Sequence, residues 1–232
     1  MAIDNFSEQE ARDANSNTLS FSVGALPDGI LLVAIAYESA YDITEPEILS
    51  VEWNGLAMTQ IASISNVGAT SSVTVRLYYF DLPVDNNTYD VVASFTANTH
   101  SLIGAISLKN MDRGFIPRIF TATGSSAHPT VTTTPLGTGI TSIQLAMYAG
   151  TSDAGAFIDA VDGSNTQLWG GGIISGGTAD PLACGGVYDD LFGTSLGATL
   201  LASDDWVIAA VELAAGPTVP NSLACLGTSE NR

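Results

Sequence analysis

Residues 18–37 read Thr-Leu-Ser-Phe-Ser-Val-Gly-Ala-Leu-Pro-Asp-Gly-Ile-Leu-Leu-Val-Ala-Ile-Ala-Tyr, and the two halves of this stretch differ in hydropathy period. Thr18 to Val23 alternates polar with apolar, as a half-buried strand does, whereas Gly29 to Tyr37 is a continuous apolar run suited to a central strand. Between them, Pro27-Asp28-Gly29 supplies a turn, because proline fixes φ and glycine accepts φ > 0. The next signal outward is sharper. Leu49–Trp53 and Leu56–Ile61 flank Asn54-Gly55, the dipeptide that tolerates the two left-handed positions of a type I′ hairpin turn.

Further strand patterns follow at regular spacing: Val73–Phe80, Tyr89–Phe95, Leu102–Leu108, Ile119–Ala122, Pro129–Thr134, Ile143–Tyr148 and Trp206–Leu213. The segments between them are rich in Pro, Asn, Asp and Thr. With 23 glycines and 9 prolines to punctuate them, ten or more short strands predict an all-β protein, an antiparallel β-sandwich of jelly-roll or Ig-like type. Helical signals are few. Ser7-x-x-Glu10 fits a capping box, but the residues behind it offer no apolar face, so the N-terminus reads as one short turn or an extended arm. The expected organisation is an N-terminal arm over 1–17, a sandwich domain over 18–215 and a departing tail over 216–232. Residues 149–202 are ambiguous: Gly170-Gly-Gly172 and Gly176-Gly177 favour surface loops, and 189–202 fits a short helix or a loop.

Composition removes several functions. The chain carries 24 Asp+Glu against 6 Lys+Arg, a formal net charge of −18, and its cations (Arg12, Arg76, Lys109, Arg113, Arg118, Arg232) are scattered. No basic stripe exists to displace counterions from phosphates or to hold an anionic membrane, so neither nucleic acid nor membrane is an expected partner. The chain is nonetheless a folding sequence, because 46% of it is apolar and only 13% charged, the reverse of a disordered composition. A core of adequate size needs no disulfide, and Cys184 and Cys225 are expected as free thiols. No run approaches the roughly 18 apolar residues of a membrane span. The opening Met-Ala-Ile-Asp-Asn-Phe-Ser-Glu-Gln-Glu has neither the basic nor the apolar region of a cleavable signal, which predicts folding in the cytoplasm of the producing cell.

Candidate sites are sparse. Gly193-Thr-Ser-Leu-Gly197 matches the G-x-S-x-G nucleophile elbow, yet both histidines, His100 and His128, precede Ser195, and no parallel α/β pattern surrounds it, so catalysis is not expected. The His and Cys spacings match no zinc motif. Asp159–Asn165 lacks the Asp-x-Asp opening and closing Glu of a calcium loop, and Asp189-Asp190 and Asp204-Asp205 read as solvated loop ends before they read as ligands. No cofactor or metal is expected. The sequon Asn86-Asn-Thr88 matters only in a secreted chain. Trp53 and Trp206 sit in strand patterns and read as core. Trp169, beside the triple glycine, is the one candidate for contact with a sugar ring or a partner loop.

Six motifs in order carry a resemblance: Leu26-Pro-Asp-Gly-Ile-Leu-Leu-Val-Ala-Ile, Val51-Glu-Trp-Asn-Gly-Leu-Ala-Met-Thr, Arg76-Leu-Tyr-Tyr-Phe-Asp-Leu-Pro, Tyr89-Asp-Val-Val-Ala-Ser-Phe, Gly104-Ala-Ile-Ser-Leu-Lys-Asn-Met-Asp and Trp206-Val-Ile-Ala-Ala-Val-Glu-Leu. Across roughly 26–215 this order resembles a β-sandwich family of phage structural proteins and some secreted bacterial proteins. The resemblance implies no enzyme. It implies a virion protein, foremost a capsid decoration (cement) protein that coats the outer shell as a homo-oligomer and bridges major capsid protein subunits. The alternative it implies is a receptor- or carbohydrate-binding module of a tail fibre or secreted surface protein. On this reading the acids gather in solvent-facing loops such as 38–47, 85–90, 153–162 and 180–190, which favours solubility at high local concentration and the outside of a shell over its lumen.

Overall fold

The computed structural model describes residues 2–26, 28–40, 47–67, 71–83, 86–134, 136, 141–151, 158–161, 165–174, 182–189, 194–200 and 203–216. In chain order the strands are β1 (Ala2–Ser22), β2 (Ile30–Ala40), β3 (Ile48–Trp53), β4 (Leu56–Ala57), β5 (Thr59–Val67), β6 (Ser71–Asp81), β7 (Thr88–Lys109), β8 (Arg118–Ser126), β9 (Thr130–Thr132), β10 (Ser142–Thr151), β11 (Ile158–Val161), β12 (Thr166–Ile174), β13 (Leu182–Asp189), β14 (Ser195–Leu200) and β15 (Asp204–Ala214). No helix forms among the described residues, and every strand pairing is antiparallel. The protein is all-β.

The first sheet has seven strands in the order β4-β3-β7-β2-β6-β5, with β1 laid along β7. Its two ends, β4 and β5, are consecutive in the chain and separated only by Met58, so the sheet curls into a nearly closed, barrel-like body. The Asn54-Gly55 turn makes this possible: Asn54 at φ 53° and Gly55 at φ 72° reverse the chain between Trp53 and Leu56, which pair across the hairpin. Inside lies one apolar cluster, with Leu31, Val33, Ile35 and Tyr37 of β2 against Val51 and Trp53 of β3, Phe21 of β1 and Val91, Ala93 and Phe95 of β7.

The alternate residues of β2, Ile30, Leu32, Ala34 and Ala36, face a second cluster shared with the five-stranded sheet β12-β13-β10-β15-β8. This explains the continuous apolar run at 29–37: a strand buried on both faces has no position left for a polar residue. β10 and β15 are also buried on both faces, with the internally bonded Gln144 and Glu212 as exceptions to the apolar pattern. Ile143, Leu145 and Met147 with Val207, Val211 and Leu213 enter the shared cluster, while Ala146, Tyr148, Trp206, Ile208 and Ala210 enter a third. The small sheet β11-β14-β9 helps to enclose that third cluster through Val131, Leu196, Ala198 and Leu200.

Several expectations are revised. Residues 2–17, expected as an arm, belong to β1, which pairs with β7 from Ala2↔Lys109 to Ser22↔Thr88. Their polar character marks an exposed edge strand: register breaks at Ile3/Asn5 and on either side of Ala14, and Asp13 at φ 47°, interrupt it as an edge that resists unwanted pairing should be interrupted. Tyr89–Phe95 and Leu102–Leu108 are two parts of one long strand. Its first part pairs with β3 and its second with β2, and between them the Thr96 N–H donates to the Glu47 carbonyl while the Thr96 hydroxyl accepts from the Glu47 N–H, at 2.9 Å each. The described part of 149–202 is β-strand, glycines included, and Ser195–Leu200 is neither helix nor loop. Two acids expected in solvent, Glu38 and Asp189, are buried on strands. Residues 153–157 and 180–181, and the tail beyond Gly216, lie outside the described residues.

One close approach is visible only in three dimensions. Gly124 of β8 pairs with Trp206 of β15, and a Cβ built on Gly124 would lie 2.5 Å from the indole. Gly124→Ala is therefore expected to destabilise by about 1–3 kcal/mol, the range of core overpacking. Urea denaturation would check it, and a loss below about 0.5 kcal/mol would mean the indole moves freely.

Candidate functional site

Ser195 is exposed at the start of β14, opposite Thr132 in an antiparallel pair, without the strand-to-helix turn that a nucleophile elbow requires. His128 lies beside Thr199, Nδ1 to Oγ1 3.4 Å. That is four residues along β14 from Ser195, roughly 13 Å at the strand rise, too far for a nucleophile and its base. His100 is on β7, in the other sheet. Trp169 is on β12 opposite Gly186, and its side chain lies outside the described residues. Trp53 and Trp206 are both core. Of Asp159–Asn165, residues 162–164 also lie outside the described residues. No three His, Cys, Asp or Glu side chains gather among the described residues as a metal site would require.

Cys184 is a free thiol, fully enclosed on β13, and Cys225 lies outside the described residues. Burial, aided by Glu10 and Glu8, raises the Cys184 thiol well above its ordinary value. Burial likewise raises Tyr148, and it raises Tyr79 together with the bond to Asp81. The folded chain thus holds protons that the unfolded chain releases. The stabilisation is complete below the ordinary thiol pKa of about 8.5 and declines as pH rises above it. Alkylation of the native protein at pH 8, read by peptide mass spectrometry, should leave Cys184 unmodified until denaturant is added.

A polar row that sequence reasoning missed crosses the second sheet in register: Asp189 opposite Gln144, Gln144 opposite Glu212, and Glu212 opposite Arg118. Glu212 is 0 % exposed. Its Oε1 accepts hydrogen bonds from Leu136 N (3.1 Å), Ser142 Oγ (3.0 Å) and Gln144 Nε2 (3.4 Å), and Oε2 accepts from Arg118 Nη1 at 3.0 Å. Thr133 Oγ1 donates to Gln144 Oε1 at 2.9 Å. The row ties Thr133 and Leu136 to β10 and β15. A carboxylate without accessible surface meets no substrate, so its role is structural. The signal was a single acid inside the run Val-Ile-Ala-Ala-Val-Glu-Leu, since a charge in an apolar strand must find partners.

The second polar constellation is accessible. On β6, Val73, Val75 and Leu77 enter the cluster between the sheets, so Thr74, Arg76 and Tyr78 face the barrel side. Arg76 lies over the Tyr37 ring, 5.8 Å from its centroid, and Tyr37 packs on Phe95 at 5.5 Å. The Tyr78 hydroxyl bonds to Gln60 Oε1 at 3.2 Å and also meets Arg76; burial raises its pKa, with Arg76 opposing. In register beside them on β5 stand Gln60, Ser63 and Ser65, all exposed. Past Met58, β5 pairs with β6 alone, so the seam between β4 and β5 carries no strand pairing among the described residues.

Comparison with protein-family models, with curated proteins and with solved structures finds no significant match for this chain.

Proposed function

We propose that this chain is a structural protein of a phage virion, a capsid decoration protein that binds the outer shell and bridges neighbouring capsid subunits as a homo-oligomer. The observation that carries the reading is the order of six motifs from Leu26 to Leu213, each of which supplies or abuts a strand: β2, the β3–β4 hairpin, β6, the two parts of β7, and β15. In this reading the stacked sheets are a β-sandwich of the family's kind. Its outer surface placement is supported by the net charge of −18, which would repel a packaged genome.

The test is cosedimentation of the purified protein with capsids stripped of accessory proteins. Binding that saturates at an integral ratio to the major capsid protein and raises the shell's disruption temperature is expected. Absence of binding overturns the reading, and binding that weakens steadily with salt overturns a mainly apolar attachment. Residues 1–17 are a poor place to probe an arm, because deleting them removes most of β1. Deletion of 217–232 is the informative truncation and is expected to weaken shell binding while the fold is retained.

A further inference from the structure

Of the described cations, Arg12, Arg113 and Arg118 each pair with a carboxylate, at 3.7, 3.9 and 3.0 Å. Arg76 and Lys109 have no such partner among the described residues, in a chain whose acids outnumber its cations 24 to 6, and of these two Arg76 lies over an aromatic ring. It is held instead by two tyrosines: its guanidinium lies over the Tyr37 ring, and the Tyr78 hydroxyl, itself bonded to Gln60, meets it as well. A buried Nε without an acceptor shows that this placement is not optimised for self-satisfaction. Ordering a guanidinium in this way leaves less entropy to be lost when an anion arrives, and planar N–H groups match a carboxylate.

The surroundings narrow the ligand. Ser63 is exposed directly across from Arg76, and Gln60 stands opposite Tyr78. Ser65 and Thr74, paired at 2.8 Å, continue the same face. These are neutral hydroxyl and amide groups at successive strand repeats of about 7 Å, each able to donate to and accept from a ligand hydroxyl. A densely charged polymer would be repelled by the net charge of −18, whereas a single carboxylate on a neutral, hydroxyl-rich body meets one cation and many donors. Ligand sites recur at the mouths of β-barrels, and at the unpaired edge of β5 the polar groups Gln60, Ser63 and Ser65 are likewise exposed beside Arg76.

We propose that Arg76, Tyr78, Gln60 and Ser63, at the unpaired edge of β5, form a binding site for a carboxylated sugar, with the Arg76 guanidinium taking the carboxylate and Gln60 and Ser63 the ring hydroxyls. Arg76 and Tyr78 lie within one of the six motifs, but the virion reading rests on motif order and the sugar site on side-chain chemistry, so either can fail alone.

The test is an NMR titration of the full chain with methyl glucuronoside and, in parallel, methyl glucoside, which replaces the carboxylate with a hydroxymethyl group. The glucuronoside is expected to bind with shifts centred on β5 and β6, and the glucoside at least tenfold more weakly. Arg76→Gln should weaken glucuronoside binding by about 10- to 100-fold, the worth of a charge-assisted pair of bonds, with Arg76→Lys intermediate. Because Arg76 packs on Tyr37 and its loss could disturb the fold, Ser63→Val on the exposed face is the second variant, expected to weaken binding without changing the melting temperature. Equal affinity for both sugars overturns the proposal. So does affinity unchanged by Arg76→Gln and Ser63→Val, acetate binding as tightly as the glucuronoside, or the absence of glucuronoside shifts at saturating ligand.

Discussion

Glu212→Ala is expected to destabilise the protein by about 3–5 kcal/mol, the cost of breaking a buried ion pair from one side. Four donors converge on this carboxylate: the Arg118 guanidinium, the Ser142 hydroxyl, the Gln144 amide and the Leu136 backbone N–H. Alanine leaves the Ser142, Gln144 and Leu136 donors without this acceptor at a position closed to water, and each orphaned group adds its own desolvation cost, while Arg118 is partly solvated. Arg118→Met should cost less, because Arg118 is about a third exposed and the carboxylate keeps its three other donors. Glu212→Gln separates charge from hydrogen bonding: its amide oxygen can still accept from Leu136 and Ser142, but its NH2 then faces Arg118. Urea denaturation of the three variants, with a double-mutant cycle over Glu212 and Arg118, checks the ordering. A loss below about 1 kcal/mol for Glu212→Ala would show that water reaches the site.

The other large effect is expected at Trp53. The indole is 1 % exposed, edge-on to Tyr89 at 4.9 Å and tilted against Phe80 at 5.4 Å, inside the barrel-like body. Truncation to alanine removes these contacts and leaves a cavity that curved strands cannot easily collapse, for about 3–5 kcal/mol. In a domain of this size that lowers the melting temperature by roughly 2–4 °C per kcal/mol, or about 10 °C in all. The control is Leu49→Ala on the same strand: 67 % exposed beside the Ile48/Ser50 register break, it should change stability by no more than about 0.5 kcal/mol. Comparable losses for the two would mean that β3 does not close the barrel as described.

Much of the fold was legible because the decisive signals were local. Asn54-Gly55 specifies its own turn, whatever surrounds it, through the left-handed conformations both residues adopt. The apolar runs at 30–36, 143–148 and 206–213 reported burial directly. Residues 2–17 were not legible in the same way, since β1 is an edge strand whose many polar side chains look outward and resemble a disordered arm. Nor were the strands between 149 and 202, because glycine-rich segments such as Gly170–Gly172 carry no side-chain periodicity to read.

The sites divide along the same line. Ser195 matched a catalytic pentapeptide in sequence, and the antiparallel strand it opens deprives it of the geometry. Arg76 and Glu212 drew no attention as isolated letters. Alternation on β6 turns Arg76 away from the core between the sheets, and only pairing with β5 and β2 sets Tyr37, Gln60 and Ser63 around it. Register alone aligns Glu212 with Gln144 and Arg118.

The sequence by itself determined that this chain is all-β, that its central strands are buried, that its hairpin turns at Asn54-Gly55, and that its net charge is −18. These follow from backbone preference, hydropathy period and total charge, which are properties of short segments or of the whole composition. Only the tertiary structure decided that the first sheet curls until β4 and β5 meet at Met58, that three apolar clusters rather than one hold the described strands, and that Arg76 lies over Tyr37 without a carboxylate partner among the described residues. Such outcomes depend on strand register and on contacts between residues far apart in the chain, and no local pattern encodes them.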